Sequence, residues 1–325
     1  MPRPTGSTSV QRPDLGAIAY EYMLEASRRG FIGLELMPIF DTPLQSAKYP
    51  VIPIEALLKR QETRRAPRAN YNRGDWEFED GTFACQEYGW EEPVDDVEAS
   101  LFRRFFDAEE IAVKRAVDFI LRGQESRIAG KVFNTSNITN NAVVSVKWDV
   151  AATAEPRDDV YAAKEAMRKA VGFKGNILTM SETVFNNLLF CQQVTDALKY
   201  TNPLEMGGLE AQRAMLAKFL GVDRILVAGA MEDTAKKGQS ASLSDIWGSD
   251  YVGLFKVSGG GQDLKEPCIG RTFLWTEDSP QNLVTESYRE EQSRSNIYRT
   301  RHNVDEAFVF TGAGYLLTGV TTPEE

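Results

Sequence analysis

Little in this chain could do covalent chemistry. Its 325 residues include one histidine, His302, and three cysteines, Cys85, Cys191 and Cys268. A Ser-His-Asp relay would have to run through His302, and the sequence holds no G-x-S-x-G turn to raise a serine towards it. His302 stands near Arg299 and Arg301 in a run with strand character, where a surface or hydrogen-bonded strand histidine is expected. A cysteine nucleophile needs a thiolate beside a base. The cysteines are scattered, form no C-x-x-C pair and read as small apolar residues. One histidine also excludes any metal site that needs two.

Phosphate-binding and dinucleotide-binding turns fail as well. Gly172-Phe-Lys-Gly-Asn176 lacks the Gly-Lys-Ser/Thr ending that cradles phosphate. Gly312-Ala-Gly314 followed by Gly319 misplaces the third glycine of a dinucleotide fingerprint and reads as a turn between strands. Asp and Glu number 47, yet no spacing singles out an acid/base pair. The expectation is a chain with no catalytic residues, no cofactor and no metal.

Composition points the same way. Lys and Arg number 37, so the formal charge is −10, and hydrophobic residues make up 42 % of the chain. These are values of a folded globular protein. The acidic balance argues against a sequence-reading nucleic-acid binder. The opening residues have no apolar signal region, and no apolar run is long enough to cross a bilayer. A soluble protein of a reducing, intracellular setting is expected.

Several elements are legible. Residues 1–13 are polar and proline-containing and read as a mobile arm. Leu15, Ile18, Ala19, Tyr22, Met23 and Ala26 then recur at helical spacing between a capping Asp14 and a stop at Gly30. Pro38, Pro43, Pro50 and Pro53 leave room only for edge strands. A strongly basic block covers 59–73 and a strongly acidic one 87–98. Between them, 75–83 alternates polar and aromatic residues like one strand of a hairpin. Few aliphatics lie in this excursion, so it has no core of its own; it suits a flexible loop or an element packed on a neighbouring subunit.

The strongest helix is 107–130. Asp107-Ala-Glu-Glu110 is a capping-box variant, Val113, Ala116, Val117, Ile120, Leu121 and Ile128 form an apolar stripe, and Gly130 offers a left-handed end. A compact α/β texture follows. It comprises a strand at 143–148, helices at 156–172, 181–189 and 209–220, and buried strands at 176–180 and 222–228. From 251 onward the pattern is mostly strands, at 251–257, 271–275, 283–288, 296–302, 307–310 and 315–320.

Six stretches carry a family likeness by their order and spacing. They are 119–134, ending Arg-Ile-Ala-Gly-Lys-Val-Phe-Asn134; 143–148 followed by Pro156-Arg-Asp-Asp-Val160; Gly175-Asn-Ile-Leu-Thr-Met-Ser-Glu-Thr-Val-Phe185; Leu220-Gly-Val-Asp-Arg-Ile-Leu-Val227; Ser244-Asp-Ile-Trp-Gly248; and Phe310-Thr-Gly-Ala-Gly-Tyr-Leu-Leu317. From about Leu15 onward the chain resembles the major capsid proteins of tailed bacteriophages, whose Hong Kong 97-type fold is shared with encapsulin shells. The resemblance implies an α+β fold. It implies an N-terminal arm at 1–40, an extended β-hairpin loop at 41–94, a peripheral domain at 95–151 containing a long spine helix, a compact axial domain at 152–288, and return strands to the peripheral domain at 289–325. It also implies pentamers and hexamers of the chain itself, forming an icosahedral shell around double-stranded DNA that is contacted non-specifically. The virion capsid, assembled in host cytoplasm, would be its location, with portal, scaffolding and decoration proteins as partners and no membrane.

Within that frame, opposite charge and the lack of a local core pair Arg60, Arg64, Arg65, Arg68 and Arg73 with Glu91, Glu92, Asp95 and Asp96 of a neighbour. Some relatives crosslink a loop lysine to an asparagine. Lys59, a lysine of the loop, has no assignable partner, so no crosslink is expected. Two other readings compete: an encapsulin-like compartment, and an enzyme working through Cys191 or His302.

Overall fold

The computed structural model describes residues 10–11, 15, 18, 30–51, 58–74, 79–102, 107–198, 209–236, 238–259, 261–262, 264 and 266–322. The helix expected between Asp14 and Gly30 lies largely outside them.

One sheet is organised by a single long strand, β14 (Ser295–Phe308). Along one edge it pairs antiparallel with β5 (Gln86–Asp95), from Ser295↔Asp95 to Val304↔Gln86. Its other edge carries β13 (Val284–Glu290) and then β12 (Gly270–Trp275), both antiparallel. Beyond these lie β1 (Val10–Gln11), paired with β13, and β2 (Ile39–Thr42), parallel to β12. The second sheet has five strands in the order β6 (Asn141–Val143), β15 (Gly314–Thr318), β11 (Tyr251–Phe255), β7 (Ile177–Ser181), β8 (Arg224–Ala228). Two hairpin-like pairs stand apart, β3 (Ser46–Val51) with β4 (Glu79–Ala84), and β9 (Met231–Asp233) with β10 (Leu243–Asp245).

Helices cover both sheets. A short α1 (Gly33–Leu36) precedes β2, and α2 (Asp96–Phe102) follows β5. The spine is α3 (Ala108–Val132), where the Asp107 carboxylate accepts from the Glu109 amide at 3.0 Å. Its 25 residues span about 37 Å. Around the second sheet lie α4 (Pro156–Val171), α5 (Glu182–Phe190), α6 (Gln192–Leu198) and α7 (Leu209–Leu220). Pro156 opens α4 and a left-handed Gly172 closes it, while the Ser181 hydroxyl caps α5.

The apolar stripe of α3 is split between two cores. Val113, Val117, Ile120 and Leu121 pack with Leu15, Val94, Leu283 and Tyr298. Ile128, Ala129 and Val132 join the large core of the five-stranded sheet, with Trp148, Met167, Phe185, Trp247 and Phe255. A third, smaller core, Tyr49, Phe83, Cys85 and Phe273, fixes the base of the β3–β4 hairpin to the long sheet. There Phe83 and Phe273 stack with ring centroids 4.3 Å apart.

Strand pairing redraws several expected boundaries. The 152–288 and 289–325 division does not follow the sheets: β12 and β13 belong with β14, whereas β15 sits inside the five-stranded sheet. The loop expected to reach residue 94 gives up β5 to the long sheet. The two strands expected at 296–302 and 307–310 are one strand, and 143–148 forms a strand only at Asn141–Val143. The spine helix runs through Gly130 rather than ending there.

One buried carboxylate ties these parts together. Glu125 of α3 accepts from the amide of Ile32 at 2.8 Å, from that of Gly33 at 2.9 Å, and from the Trp247 indole at 2.6 Å. A Cβ at residue 33 would lie 2.6 Å from the carboxylate and 2.8 Å from Ile128, so a side chain there would displace the Glu125 carboxylate from its donors. Burial raises the Glu125 pKa above the ordinary carboxylate value, and the neighbouring Glu35 adds to the rise. Because the folded pKa is the higher, ionisation opposes folding: the stability contribution is present below pH 4.5 and is lost as pH rises through the folded value. Glu125→Ala leaves three buried donors without their acceptor, at about 1–3 kcal/mol each. A drop of roughly 3 kcal/mol or more is expected in denaturant unfolding of the unassembled chain, and an unchanged midpoint would refute this account.

Candidate functional site

Thiol and imidazole chemistry find no support in the geometry. Burial pushes the Cys85 and Cys191 thiols up to about 11 and raises Cys268 as well. All three are buried and free, and their protonated form is the unreactive one. The Cys191 sulfur faces the carbonyls of Trp148 and Asn187. His302 corrects the expectation of a surface or hydrogen-bonded histidine. It is fully buried beneath α3, its ring edge-on to Tyr88 at 5.9 Å, with no hydrogen bond to either nitrogen among the described residues. Desolvation, helped by the nearby Arg127 cation, depresses its pKa to about 3. No cluster of potential metal ligands occurs among the described residues, and none of their helices is long and apolar enough to cross a membrane.

The surface features are more informative. The hairpin base is followed by an exposed stretch, 58–74, that carries Arg60, Arg64, Arg65, Arg68 and Arg73. It is shaped by its own polar groups. The Ala69 amide donates to the Ala66 carbonyl, Arg68 takes a left-handed conformation at φ 66°, and the Arg65 guanidinium lies 4.6 Å over the Tyr71 ring. Leu58 rests against the end of α4 at Gly172. None of these arginines forms an ion pair among the described residues.

The acidic candidates behave differently. Asp96 receives two bonds of 2.6 Å from Arg289, and that cation holds its carboxyl below the usual range. Glu92 lies 3.6 Å from Arg115 and accepts from the Trp90 indole at 2.9 Å. Glu91 lies 3.6 Å from Arg299, and Asp95 accepts from the Val97 amide at the start of α2. The structure therefore does not bring the basic and acidic sets together within the chain. The acids have partners of their own, and the arginines stand in solvent.

The sheet face opposite α3 carries a charge network that sequence reasoning missed. Arg301 meets Asp278 at 2.6 Å and Glu286 at 3.2 Å, while Arg299 also bonds Glu286. Glu286 and Arg301 are among the least exposed charges of the set. On the helix side, Arg127 makes a two-bond pair with Glu306 and covers the Tyr88 ring at 3.7 Å. The alternation Arg299, Arg301, Asn303, Asp305 against Thr300, His302, Val304, Glu306 was the available signal, a two-residue period written in polar residues.

The architecture is thus a spine helix over a long sheet, a second sheet with its own core, and an exposed hairpin. A phage-related protein of Bordetella bronchiseptica superimposes with a TM-score of 0.69 at 21 % identity, covering 97 % of this chain and 99 % of that one. The mature capsid of bacteriophage PhiM1 matches at 0.55 with 12 % identity over 90 % and 87 %, and a protein of Microbacterium phage Oxtober96 at 0.57 with 10 % identity over 88 % and 90 %. The chain has the Hong Kong 97-type capsid fold. No family model matches it. In sequence it is 25 % identical over 300 residues to a protein named major capsid protein of Burkholderia phage BcepMu, covering 89 % of this chain and 91 % of that one.

The buried His302 gives this fold a pH signature. Its folded pKa lies below the unfolded 6.5, so its contribution to stability is complete above pH 6.5 and is lost as pH falls towards 3. His302→Leu should flatten the stability–pH curve in that window by up to about 1.4 kcal/mol per pH unit. Parallel wild-type and variant curves between those limits would disprove the burial argument.

Proposed function

We propose that the chain is a major capsid protein, working by geometry rather than catalysis. It closes with copies of itself into pentamers and hexamers of an icosahedral shell around double-stranded DNA. The observation that carries the reading is the near full-length match, in sequence, to a protein named as a major capsid protein. The fold supports it. Contacts of the ring-closing kind place different patches of each copy against one another. A projecting basic segment without a core is suited to one half of such a contact. The net acidic chain also suits a container for DNA, because strong phosphate contacts would resist packing and ejection. In this reading the shell is the virion capsid, built in host cytoplasm, with portal, scaffolding and decoration proteins as further partners.

Arg60, Arg64, Arg65, Arg68 and Arg73 are proposed as subunit-contact residues. Glu91, Glu92, Asp95 and Asp96 remain candidates for the other side, with the reservation that each is already engaged within its own chain. Exposed pairs contribute only about 0–1 kcal/mol each, so their effect would come from repetition around the shell.

Two measurements test this. Negative-stain electron microscopy of the purified chain should show closed icosahedral particles; a stable monomer under all assembly conditions would overturn the reading. Arg64→Glu combined with Arg65→Glu should leave the circular dichroism and melting of the subunit unchanged and sharply reduce particle yield. Normal particle yield would remove these arginines from the contact.

A further inference from the structure

Segment 58–74 concentrates positive charge in a chain whose formal charge is −10. It carries Lys59, Arg60, Arg64, Arg65, Arg68 and Arg73 against a single acid, Glu62, and all of its residues are exposed. None of the six cations forms an ion pair among the described residues. The Glu62 carboxylate is turned to the backbone instead, where it accepts from the Arg64 amide at 2.9 Å.

The segment folds back on itself. A turn at 66–69 is closed by the Ala69 amide on the Ala66 carbonyl at 3.1 Å. The Asn72 side-chain amide crosses to the Glu62 carbonyl at 2.8 Å, and Arg65 Nε donates to the Ala69 carbonyl at 2.7 Å. These bonds draw the two arms into one small lobe with its guanidinium groups in solvent.

Two details distinguish this lobe from an ordinary solvated charge run. Pro67 and Arg68 occupy the middle of the turn, and Arg68 is left-handed at φ 66°. That position favours glycine, and any side chain there strains the backbone. The Arg68 guanidinium makes no hydrogen bond or ion pair among the described residues, so the fold gains nothing from it that glycine would lack. The second detail is Tyr71. Its ring is 71 % exposed, with the Arg65 guanidinium 4.6 Å from its centre. A ring so exposed builds no core, and beside arginines it is a stacking platform.

We infer that the 58–74 lobe of the unassembled chain binds single-stranded nucleic acid without reading its sequence. Planar guanidinium forks match phosphate oxygens, and any unpaired base can stack on Tyr71. A duplex offers the phosphates but keeps its bases stacked inside, and an acidic peptide offers carboxylates but no base. The inference does not depend on the shell reading. In that reading the same arginines meet a neighbour, so the binding described here belongs to the free chain.

The test is fluorescence anisotropy of a labelled oligothymidylate of about 16 nucleotides, titrated with the unassembled chain. Binding should weaken about a hundredfold between about 50 and 200 mM salt, the loss expected for about five phosphate contacts on a single strand. Arg68→Gly suits the turn, so it should melt close to wild type and yet bind several-fold more weakly. Tyr71→Ala, a change at an exposed position, should weaken the oligothymidylate several-fold and leave duplex binding unchanged. Several outcomes would overturn the inference: no salt-sensitive binding, unchanged affinity in either variant, a duplex of equal length bound as tightly as the single strand, or displacement by poly-glutamate at equal charge concentration. None of them bears on the shell reading, which microscopy tests separately.

Discussion

The fold depends on a carboxylate that has been taken out of water and surrounded by donors. Glu125 sits in the middle of the spine helix, yet its contacts come from residues about ninety positions earlier and more than a hundred later. Desolvating a charged carboxyl is costly, and here no cation repays it among the described residues. Amide and indole N–H groups offset part of that cost, and they can do so only if the segment at 30–37, the spine and the Trp247 region keep one relative placement. Nearby, the Gly229 amide donates to the Gly30 carbonyl at 3.2 Å, which fixes the same segment from the other side. Because α3 lends its first half to one core and its last turns to another, this node sets how the two sheets are held relative to each other.

The long sheet solves a different problem. One face is covered by α3, and at one end of the other face the β3–β4 hairpin adds a small aromatic core. Over the rest of that face no helix lies among the described residues. Strands β13 and β14 fill it with interlocked ions, in which Glu286 is shared by Arg299 and Arg301. Glu286 shows how such a pair can stay charged: burial would raise its pKa, and the two arginines together pull it below the ordinary value. Its contribution therefore persists above pH 4.5 and is lost as pH falls through the lowered folded pKa. A charged face of this kind is stiff in register, since a slip of one residue would set Arg299 and Arg301 on the helix side against Val117 and Ile120 and take Tyr298 away from them.

What could be read from sequence follows from these two solutions. The spine helix was legible because its stripe is aliphatic and its cap is local, Asp107 to Glu109. Helices α4 and α7 and strands β7, β8 and β11 were legible for the same reason: their burial is written in apolar residues at a regular period. Strand β14 was split in two because Asn303, Asp305 and Glu306 interrupt its apolar pattern, and their partners Asp278, Ala84 and Arg127 lie far away in sequence. The 143–148 run misled in the opposite sense. Val144 and Trp148 are buried and apolar, but their amides reach the Thr318 and Val320 carbonyls outside any regular ladder. Domain limits were least legible, since β15 enters the five-stranded sheet only after the chain has built the long one. Of the candidate contact residues, the arginines stand exposed, and only side-chain geometry reveals that the acids nearest in charge are engaged within the chain.

The hairpin is the least self-supported part of the described structure. Strands β3 and β4 bury only Tyr49 and Phe83 against the body, so ordering the outer strands and the 58–74 stretch costs conformational entropy that their own contacts do little to offset. An element of that kind is stable in one geometry only when another surface takes it up. The edge of β5 is a second such surface of the same chain, because no strand among the described residues satisfies its outward backbone groups.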